Sequence, residues 1–402
     1  MARLIFVNRY FFPDHSATSQ ILSDLAFHLT GSGHEVHVLT SGQIYDAPSA
    51  VLPALETVNG VQVHRLASTR FGRGALPGRA IDYLSFYRSV YHHLITIARP
   101  SDIVIATTDP PLLSVAVAPA VRRRGARLVN WLQDIYPETA AVLGVPLLRG
   151  PLGTVLTSLR NRILQQSASN VVVGDLMAQW VLKLGVPAAR VHVIANWCND
   201  EAIKPQPQTG NPLRPAWDLV GKFIFGYSGN LGRAHEYDTV LEAAKRLRRD
   251  PRIVFLMIGG GKRFEDLAKA VKAHALEGSF RFLAYQEQAL LPHSLSVPDV
   301  HWLSLQPQLE GLIVPSKFYG IAAAGRPMVM IGDPEGEIGR LVQQHGCGVA
   351  IAPGNAEALA RTLKHWSNEP QIVSEMGLRA RQMLEERFSR LQALARWREL
   401  FM

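Results

Sequence analysis

Short apolar runs, each followed by a turn and then an amphipathic stretch, recur along this chain in two series. The first opens with RLIFVNRYF at residues 3–11. A polar turn, PDHSATSQ, leads into ILSDLAFHLTGSG, whose apolar spacing predicts a helix closed by glycine. EVHVLTS, DIVIATT, RLVNWLQD, NVVVGD and VHVIANW read as further strands, with helices predicted over LLSVAVAPAVRRRG and residues 152–168. Runs that are apolar throughout belong to strands buried on both faces. Such strands alternating with helices require a parallel sheet covered on each side.

Residues 199–218, NDEAIKPQPQTGNPLRPAWD, break the rhythm with four prolines and few apolar residues. It then restarts with FIFGYSG, HEYDTVLEAAKRLRR, RIVFLMIGGG, EDLAKAVKAHAL, FRFLAY, VHWLSLQ and PMVMIG, and closes with helices near 355–367 and 384–400. At 402 residues the chain exceeds one ordinary core. The expectation is an α/β protein of two Rossmann-like domains. The first covers 1–198 and the second 219–375, joined by a linker over 199–218. A helical segment, 376–402, is expected to pack back on the first domain. Ligands of such sheets bind outside the carboxyl ends of the strands, and a cleft between two such domains suits two substrates.

The net charge is +9. Its clusters, Arg122–Arg127 and Lys245–Arg252, lack the interleaved aromatics that stack on bases, which argues against nucleic acid. Phosphorylated small molecules or anionic lipid are the remaining partners for such an excess. Cys198 and Cys347 are the only cysteines, too few for a disulfide framework, so a reducing, cytoplasmic compartment is expected. MARLIFVNRYFFP reads as a first buried strand, not a signal peptide. No apolar stretch is long enough to span a membrane. No HExxH and no cysteine cluster occurs, and the adjacent His92 and His93 point apart on a helix, so no metal site is expected. GxGxxG, GxxxxGK[ST] and GxSxG are also missing.

Five loops follow strands and carry reactive groups. FPDHSATS offers His15, Ser16, Thr18 and Ser19 beside a helix start, where Ser16 or Thr18 would otherwise serve as a plain cap. WLQDIYPE places Asp134 just past a strand, with Glu138 four residues on, and a carboxylate there orients a hydroxyl or acts as a base. YSGNLGRAH combines Gly229 and Gly232, which permit close backbone approach, with Asn230, Arg233 and His235 for an anion. MIGGGK is a weaker phosphate candidate. LEGLIVPSKFYGIAAAGRP holds Glu310 and Lys317 around Pro315, with Ser316 placed to cap the next helix. Lys317 in a first helical turn opposes the helix dipole, a small cost that a bound phosphate would reverse.

Taken together, RYFFPDHSATSQILSDLAFHLTGSGHEVHVLT, WLQDIYPE, VPAARVHVIANWCND, YSGNLG and LEGLIVPSKFYGIAAAGRP resemble the GT-B glycosyltransferases of family 4 over almost the whole chain. Within that family the chain is most similar to the exopolysaccharide group that includes colanic acid fucosyltransferases. The resemblance implies a nucleotide-sugar donor, UDP- or GDP-linked and in this group GDP-fucose, held by the second domain. It implies a lipid-linked saccharide acceptor on the first domain, retention of anomeric configuration and no required metal or cofactor. Action at the inner face of the cytoplasmic membrane would follow, and the segment YLSFYRSVYHHLITIA together with the positive charge fits attachment to an anionic surface. Two other readings share the architecture: a nucleotide-sugar 2-epimerase, and a non-catalytic nucleotide-sugar-binding subunit.

The chain departs from the family at informative places. Many members carry two glutamates with seven residues between them. With Gly325 fixing the register, the second falls at Gly320 and the first at Leu312, two residues after Glu310. The family's phosphate-binding arginine and lysine fall at Asn230 and His235, which leaves Arg233 and Lys317 as the replacements. A histidine that many members use for the transferred sugar is replaced by Gln133 and Asp134, with His15 as a physical substitute. The expected catalytic set is therefore His15, Asp134, Arg233 and Lys317. The expected donor-binding set is Gly229, Asn230, Gly232, Arg233, His235, Glu310, Ser316 and Lys317.

Overall fold

The computed structural model describes residues 2–44, 51–72 and 76–402. The chain divides into two compact units: Met1–Ala195 with Gly311–Ile313 and Ala393–Met402, and Asn196–Glu310 with Val314–Gln392.

The first unit contains β1 (Leu4–Val7), β2 (Val36–Ser41), β3 (Leu55–Val58), β4 (Val61–Leu66), β5 (Ile103–Ala106), β6 (Arg127–Leu132), β7 (Ser169–Val172) and β8 (Val191–Val193). They form one sheet in the order β3-β4-β2-β1-β5-β6-β7-β8, and only the β3–β4 pair is antiparallel. Every residue of β1 and β5 is buried, as their unbroken apolar character requires. Its helices are α1 (Ala17–Gly31), α2 (Leu76–Ile97), α3 (Leu113–Arg124), α4 (Glu138–Val142), α5 (Pro151–Gln166) and α6 (Asp175–Lys183). The β3–β4 hairpin is an addition to the strands read from sequence. Its turn is Asn59-Gly60, with φ of 48° and 82°, a two-residue turn whose twist matches that of its strands.

YLSFYRSVYHHLITIA, whose composition fits membrane attachment, lies in α2. Phe86, Val90 and Leu94 are fully buried in the core of the first unit, so those apolar side chains are committed to packing. Among the described residues, no helix is long and apolar enough to cross a membrane.

The second unit contains β9 (Phe223–Asn230), β10 (Ile253–Gly260), β11 (Phe280–Leu283), β12 (Val300–Ser304), β13 (Met328–Ile331) and β14 (Gly348–Ile351). They form an all-parallel sheet in the order β11-β10-β9-β12-β13-β14. Its helices are α7 (Leu213–Ala216), α8 (Asp238–Leu247), α9 (Lys262–Ala273), α10 (Leu291–Ser294), α11 (Lys317–Ala323), α12 (Glu337–Gln344), α13 (Ala356–Trp366) and α14 (Pro370–Met383). α14 and β14 are also additions to the elements read from sequence. A last helix, α15 (Arg390–Phe401), starts in the second unit, and from Ala393 it counts with the first. There Trp397 meets Trp131 of β6 edge-on, with ring centroids 4.7 Å apart.

Both sheets reverse their winding direction in the middle, between β1 and β5 in one unit and between β9 and β12 in the other. Those are the points where a doubly wound sheet opens a crevice at the carboxyl ends of its strands. The two parallel-sheet units have the GT-B architecture expected from the sequence.

Candidate functional site

The second unit builds its crevice from the last residues of β9 and β10. β9 runs through Tyr227, Gly229 and Asn230, so the first four residues of the glycine loop read from sequence belong to the sheet. Gly229 pairs with Gly259, and Asn230 with Gly260. Gly229 and Gly259 have φ of 122° and 131°, a region closed to most side chains. A Cβ on Gly259 would lie 2.2 Å from the Gly229 carbonyl oxygen, and one on Gly229 would lie 2.6 Å from Lys317 Cε. Two glycines therefore let two strands and one lysine stem share a volume that side chains would fill.

Lys317 is the first residue of α11. Its Nζ donates to the Asn230 carbonyl at 3.3 Å and sits 5.2 Å from the centroid of the Tyr227 ring. The Tyr227 hydroxyl donates to the same carbonyl at 2.8 Å. No carboxylate pairs with Lys317 among the described residues. Burial pushes its ammonium down to about 8. A half-buried cation without a counter-ion is costly, and the cost reverses when an anion arrives.

His235 also meets Tyr227, edge-on, with ring centroids 6.1 Å apart. Its Nδ1 lies 2.7 Å from the Ser304 carbonyl oxygen, an acceptor, which places the ring proton on Nδ1. Burial, then the Lys317 charge, push the imidazole down to about 3, against the bond to Ser304. His235 is thus neutral, and its Nε2 presents a lone pair rather than a positive charge.

Arg263, the second residue of α9, donates from Nη1 to the His235 carbonyl at 3.0 Å, and its charge also opposes protonation of His235. MIGGGK stops one residue short of Arg263, although an arginine in the helix turn after a glycine-rich strand end is itself an anion signal. Arg233 is exposed, and its backbone carbonyl accepts from Gln306 Nε2 at 2.8 Å. The structure gathers Gly229, Asn230, His235 and Lys317 around Tyr227 and leaves the Arg233 side chain in solvent. A Cβ on Gly232 would meet only Asn230 Nδ2, at an ordinary 3.5 Å.

Glu310 follows a 3-10 turn, Pro307–Leu309, and reaches the amino end of α12. Its Oε2 accepts from the Glu337 N–H at 3.1 Å, while Oε1 is buried without a partner among the described residues. Gly336 makes room, since a Cβ there would lie 2.3 Å from Oε1. One oxygen accepts at the amino end of α12, and the other is buried with no hydrogen bond among the described residues. Burial pushes the carboxyl up to about 7; the Glu337 N–H opposes this, and the Asp333 and Glu337 charges add to it.

A raised acid pKa means that the unfolded chain releases this proton first. The group therefore lowers stability as pH climbs from about 4 to about 7. Glu310→Gln is expected to remove that slope, melting close to wild type at pH 4 and about 2 °C higher at pH 7.5. Thermal melts of ligand-free protein at the two pH values check it.

Ser316 occupies the N-cap position of α11, but its hydroxyl makes no capping bond, because its backbone is already helical (φ −67°, ψ −20°). At Gly320 a Cβ would make an ordinary contact with Leu295, at 3.6 Å.

In the first unit, His15 is exposed in the loop between β1 and α1, and its carbonyl accepts from Gln20 Nε2. Ser16 is the N-cap of α1, yet its hydroxyl turns back to Asp14 Oδ1 instead of capping the helix. Asp134 lies past β6, half-buried, with its N–H and that of Gln133 both donating to Thr108 Oγ1 at 3.2 Å. Burial, and then the charge of Asp109, push its carboxyl up to about 7. Asp109 enters from the end of β5, a neighbour that local sequence could not reveal. Glu138 does not share this place: it pairs with Arg160 Nη2 at 2.6 Å, and Arg160 also donates to the Tyr136 carbonyl at 2.8 Å. Among the described residues, no group of three or more His, Cys, Asp or Glu side chains is placed to hold a metal ion.

This geometry can be set beside known proteins. Residues 17–197 match the family described as "Glycosyl transferase 4-like domain", and residues 213–383 match "Glycosyl transferases group 1". The chain is 26% identical to a probable glycosyltransferase, WbjE, of Pseudomonas aeruginosa over 99% of this chain and 97% of that protein. It is 28% identical to a putative colanic acid biosynthesis glycosyl transferase, WcaI, of Escherichia coli over 60% of each. Among solved structures, HepE of Anabaena in complex with UDP superposes with a TM-score of 0.73 at 14% identity, covering 99% of both chains, a likeness of fold. With both halves matched in order and a GT-B fold beneath them, the chain is a glycosyltransferase related to the glycosyl transferase 4-like and group 1 families.

Proposed function

We propose that this enzyme moves a sugar from a uridine or guanosine diphosphate donor to a hydroxyl of a lipid-linked saccharide, with retention, at the cytoplasmic face of a membrane. GDP-fucose is the donor that its colanic acid-type resemblance favours. The observation that carries the reading is Lys317: a cation without a counter-ion, lying over Gly229 at the carboxyl end of β9. That is where a doubly wound sheet receives the phosphates of a nucleotide. Solved GT-B relatives bind such ligands, HepE having been crystallised with UDP and with UDP-glucose.

In the proposed reaction the bond between the anomeric carbon and the β-phosphate oxygen breaks as the acceptor oxygen bonds to that carbon on the same face. The acceptor proton passes to the departing phosphate oxygen, so no protein nucleophile takes part. Lys317 and Arg233 stabilise the charge growing on the diphosphate, and the glycine backbone at 229 and 232 allows close approach. His235 offers its lone pair, and Asn230 its amide, to donor hydroxyls. Glu310 holds a sugar hydroxyl, and Ser316 supplies a hydroxyl beside Lys317. On the first unit, Asp134 and His15 take hydroxyls of the acceptor or the sugar. An Asp134 carboxyl poised near neutrality can donate or accept in that role.

The test is incubation of purified protein and membranes with a panel of UDP- and GDP-sugars, followed by mass spectrometry of the lipid fraction. One donor is expected to add one sugar to a lipid-linked acceptor. Conversion of a nucleotide sugar to its epimer, or donor binding without transfer to any acceptor, would overturn the reading.

A further inference from the structure

α5 carries an apolar face that its own packing does not use. Gly153, Arg160, Ile163 and Leu164 are buried and seat the helix in the first unit. Gly153 is pressed against the preceding 3-10 turn, Pro146–Arg149, where a Cβ would lie 1.9 Å from the Leu148 carbonyl oxygen. Leu152, Val155 and Leu159, at spacings of three and four residues, form a separate stripe that is 44, 55 and 45% exposed. Leu147, in the 3-10 turn, adds a side chain 68% exposed. Scattered exposed apolar side chains need no explanation, but four on one helix and the turn it packs against do.

The charges around this stripe have one sign. Arg162 continues it by a further three residues and is exposed, as is Arg149 at the other end. Arg122 of α3 reaches Gln166 at the end of α5, Nη1 to Oε1 3.2 Å. No acidic residue occurs from 139 to 174. Apolar side chains flanked by arginines match a bilayer surface with anionic headgroups, where the apolar tips enter the acyl boundary and guanidinium groups meet phosphate. Pairing with a second copy through a two-fold axis would set this basic rim against itself, which disfavours a dimer here.

We propose that the α5 face formed by Leu147, Leu152, Val155 and Leu159, rimmed by Arg149 and Arg162, docks the enzyme on an anionic lipid surface. The inference deepens the functional reading, and rests on it, by giving the enzyme a standing place beside a lipid-linked acceptor. The sequence suggested α2 for this role, and there Phe86, Val90 and Leu94 are buried while Leu84 is exposed.

The test is co-sedimentation of the full chain with vesicles of phosphatidylcholine alone or with about one-third phosphatidylglycerol. Binding is expected to need the anionic lipid and to weaken in molar salt. The triple variant Leu152→Ser, Val155→Ser, Leu159→Ser is expected to bind at least about tenfold less, with an unchanged melt and an unchanged melting shift on adding UDP or GDP. The pair Leu378→Ser, Leu391→Ser, exposed elsewhere, is expected to bind as wild type does. Wild type that ignores anionic vesicles, a triple variant that binds equally well, or lipid-free self-association abolished by the triple variant would each overturn the docking. A chain that ignores vesicles yet transfers sugar to a detergent-dispersed acceptor fails this inference alone. One that binds vesicles yet transfers nothing fails the functional reading alone.

Discussion

Lys317→Ala is expected to lower kcat/KM for sugar transfer by more than tenfold, a loss of at least about 1.4 kcal/mol. The ammonium is held over Gly229 by the Asn230 carbonyl and the Tyr227 ring, neither of which neutralises it. A diphosphate does neutralise it, and more so as charge develops on the leaving oxygen. The same geometry fixes the sign of the stability effect. A desolvated cation with no counter-ion disfavours the folded state, so the ligand-free variant is expected to melt no lower than wild type. A residue needed only for folding would do the opposite.

The pH dependence gives a third reading. With its ammonium pushed down to about 8, free Lys317 loses its proton within a range where an ordinary lysine stays charged. Donor affinity of wild type is therefore expected to fall as pH rises past about 8, and that limb is expected to be missing in the variant. Folding shows the reverse sign: between about 8 and 10.5 the unfolded chain holds this proton more tightly, so the group's penalty on stability fades as pH rises. Isothermal calorimetry with UDP and GDP across pH 6.5 to 9.5, together with melts, separates the two. Wild-type kinetics with a cognate donor would remove Lys317 from the phosphate site.

These expectations combine what was legible in the sequence with what was not. β1, β5 and β13 could be read because strands buried on both faces are apolar at every position, a local property. Asn59-Gly60 was just as local a signal for the hairpin, but β3 is mostly exposed and lacks the apolar run that drew attention elsewhere. Gly229 and Lys317 stood out as a strand-end glycine and a lysine against its helix dipole. Their contact did not, because it joins residues 88 positions apart in number only through the β9–β12 half of the sheet. Asp109 beside Asp134 and the neutrality of His235 stayed hidden for the same reason: each is set by what a neighbouring strand or helix brings near. Glu310 showed its carboxylate in the sequence, but its bond to Glu337 depends on how the chain returns after β13.

Gly229→Ala tests the contact that sequence could not show. Its φ of 122° disfavours any side chain, so the variant is expected to lose about 1–3 kcal/mol of stability from backbone strain. The new methyl would also stand 2.6 Å from Lys317 Cε, so the lysine stem has to move and its ammonium leaves the Asn230 carbonyl. Transfer is expected to fall more than tenfold, as in Lys317→Ala. Gly232→Ala, with a Cβ at ordinary contact distance and no positive φ, is expected to keep its stability within about 1 kcal/mol of wild type, so a loss of transfer there reads the donor's approach to the backbone. The double variant Gly229→Ala, Lys317→Ala distinguishes the two consequences. If the glycine serves catalysis by seating the lysine, the losses in transfer do not add, and the double variant transfers about as poorly as the worse single one. The strain does not depend on Lys317, so most of the loss in stability persists in the double variant. Additive losses in transfer would mean that Gly229 meets the donor through its own backbone, independently of the ammonium above it.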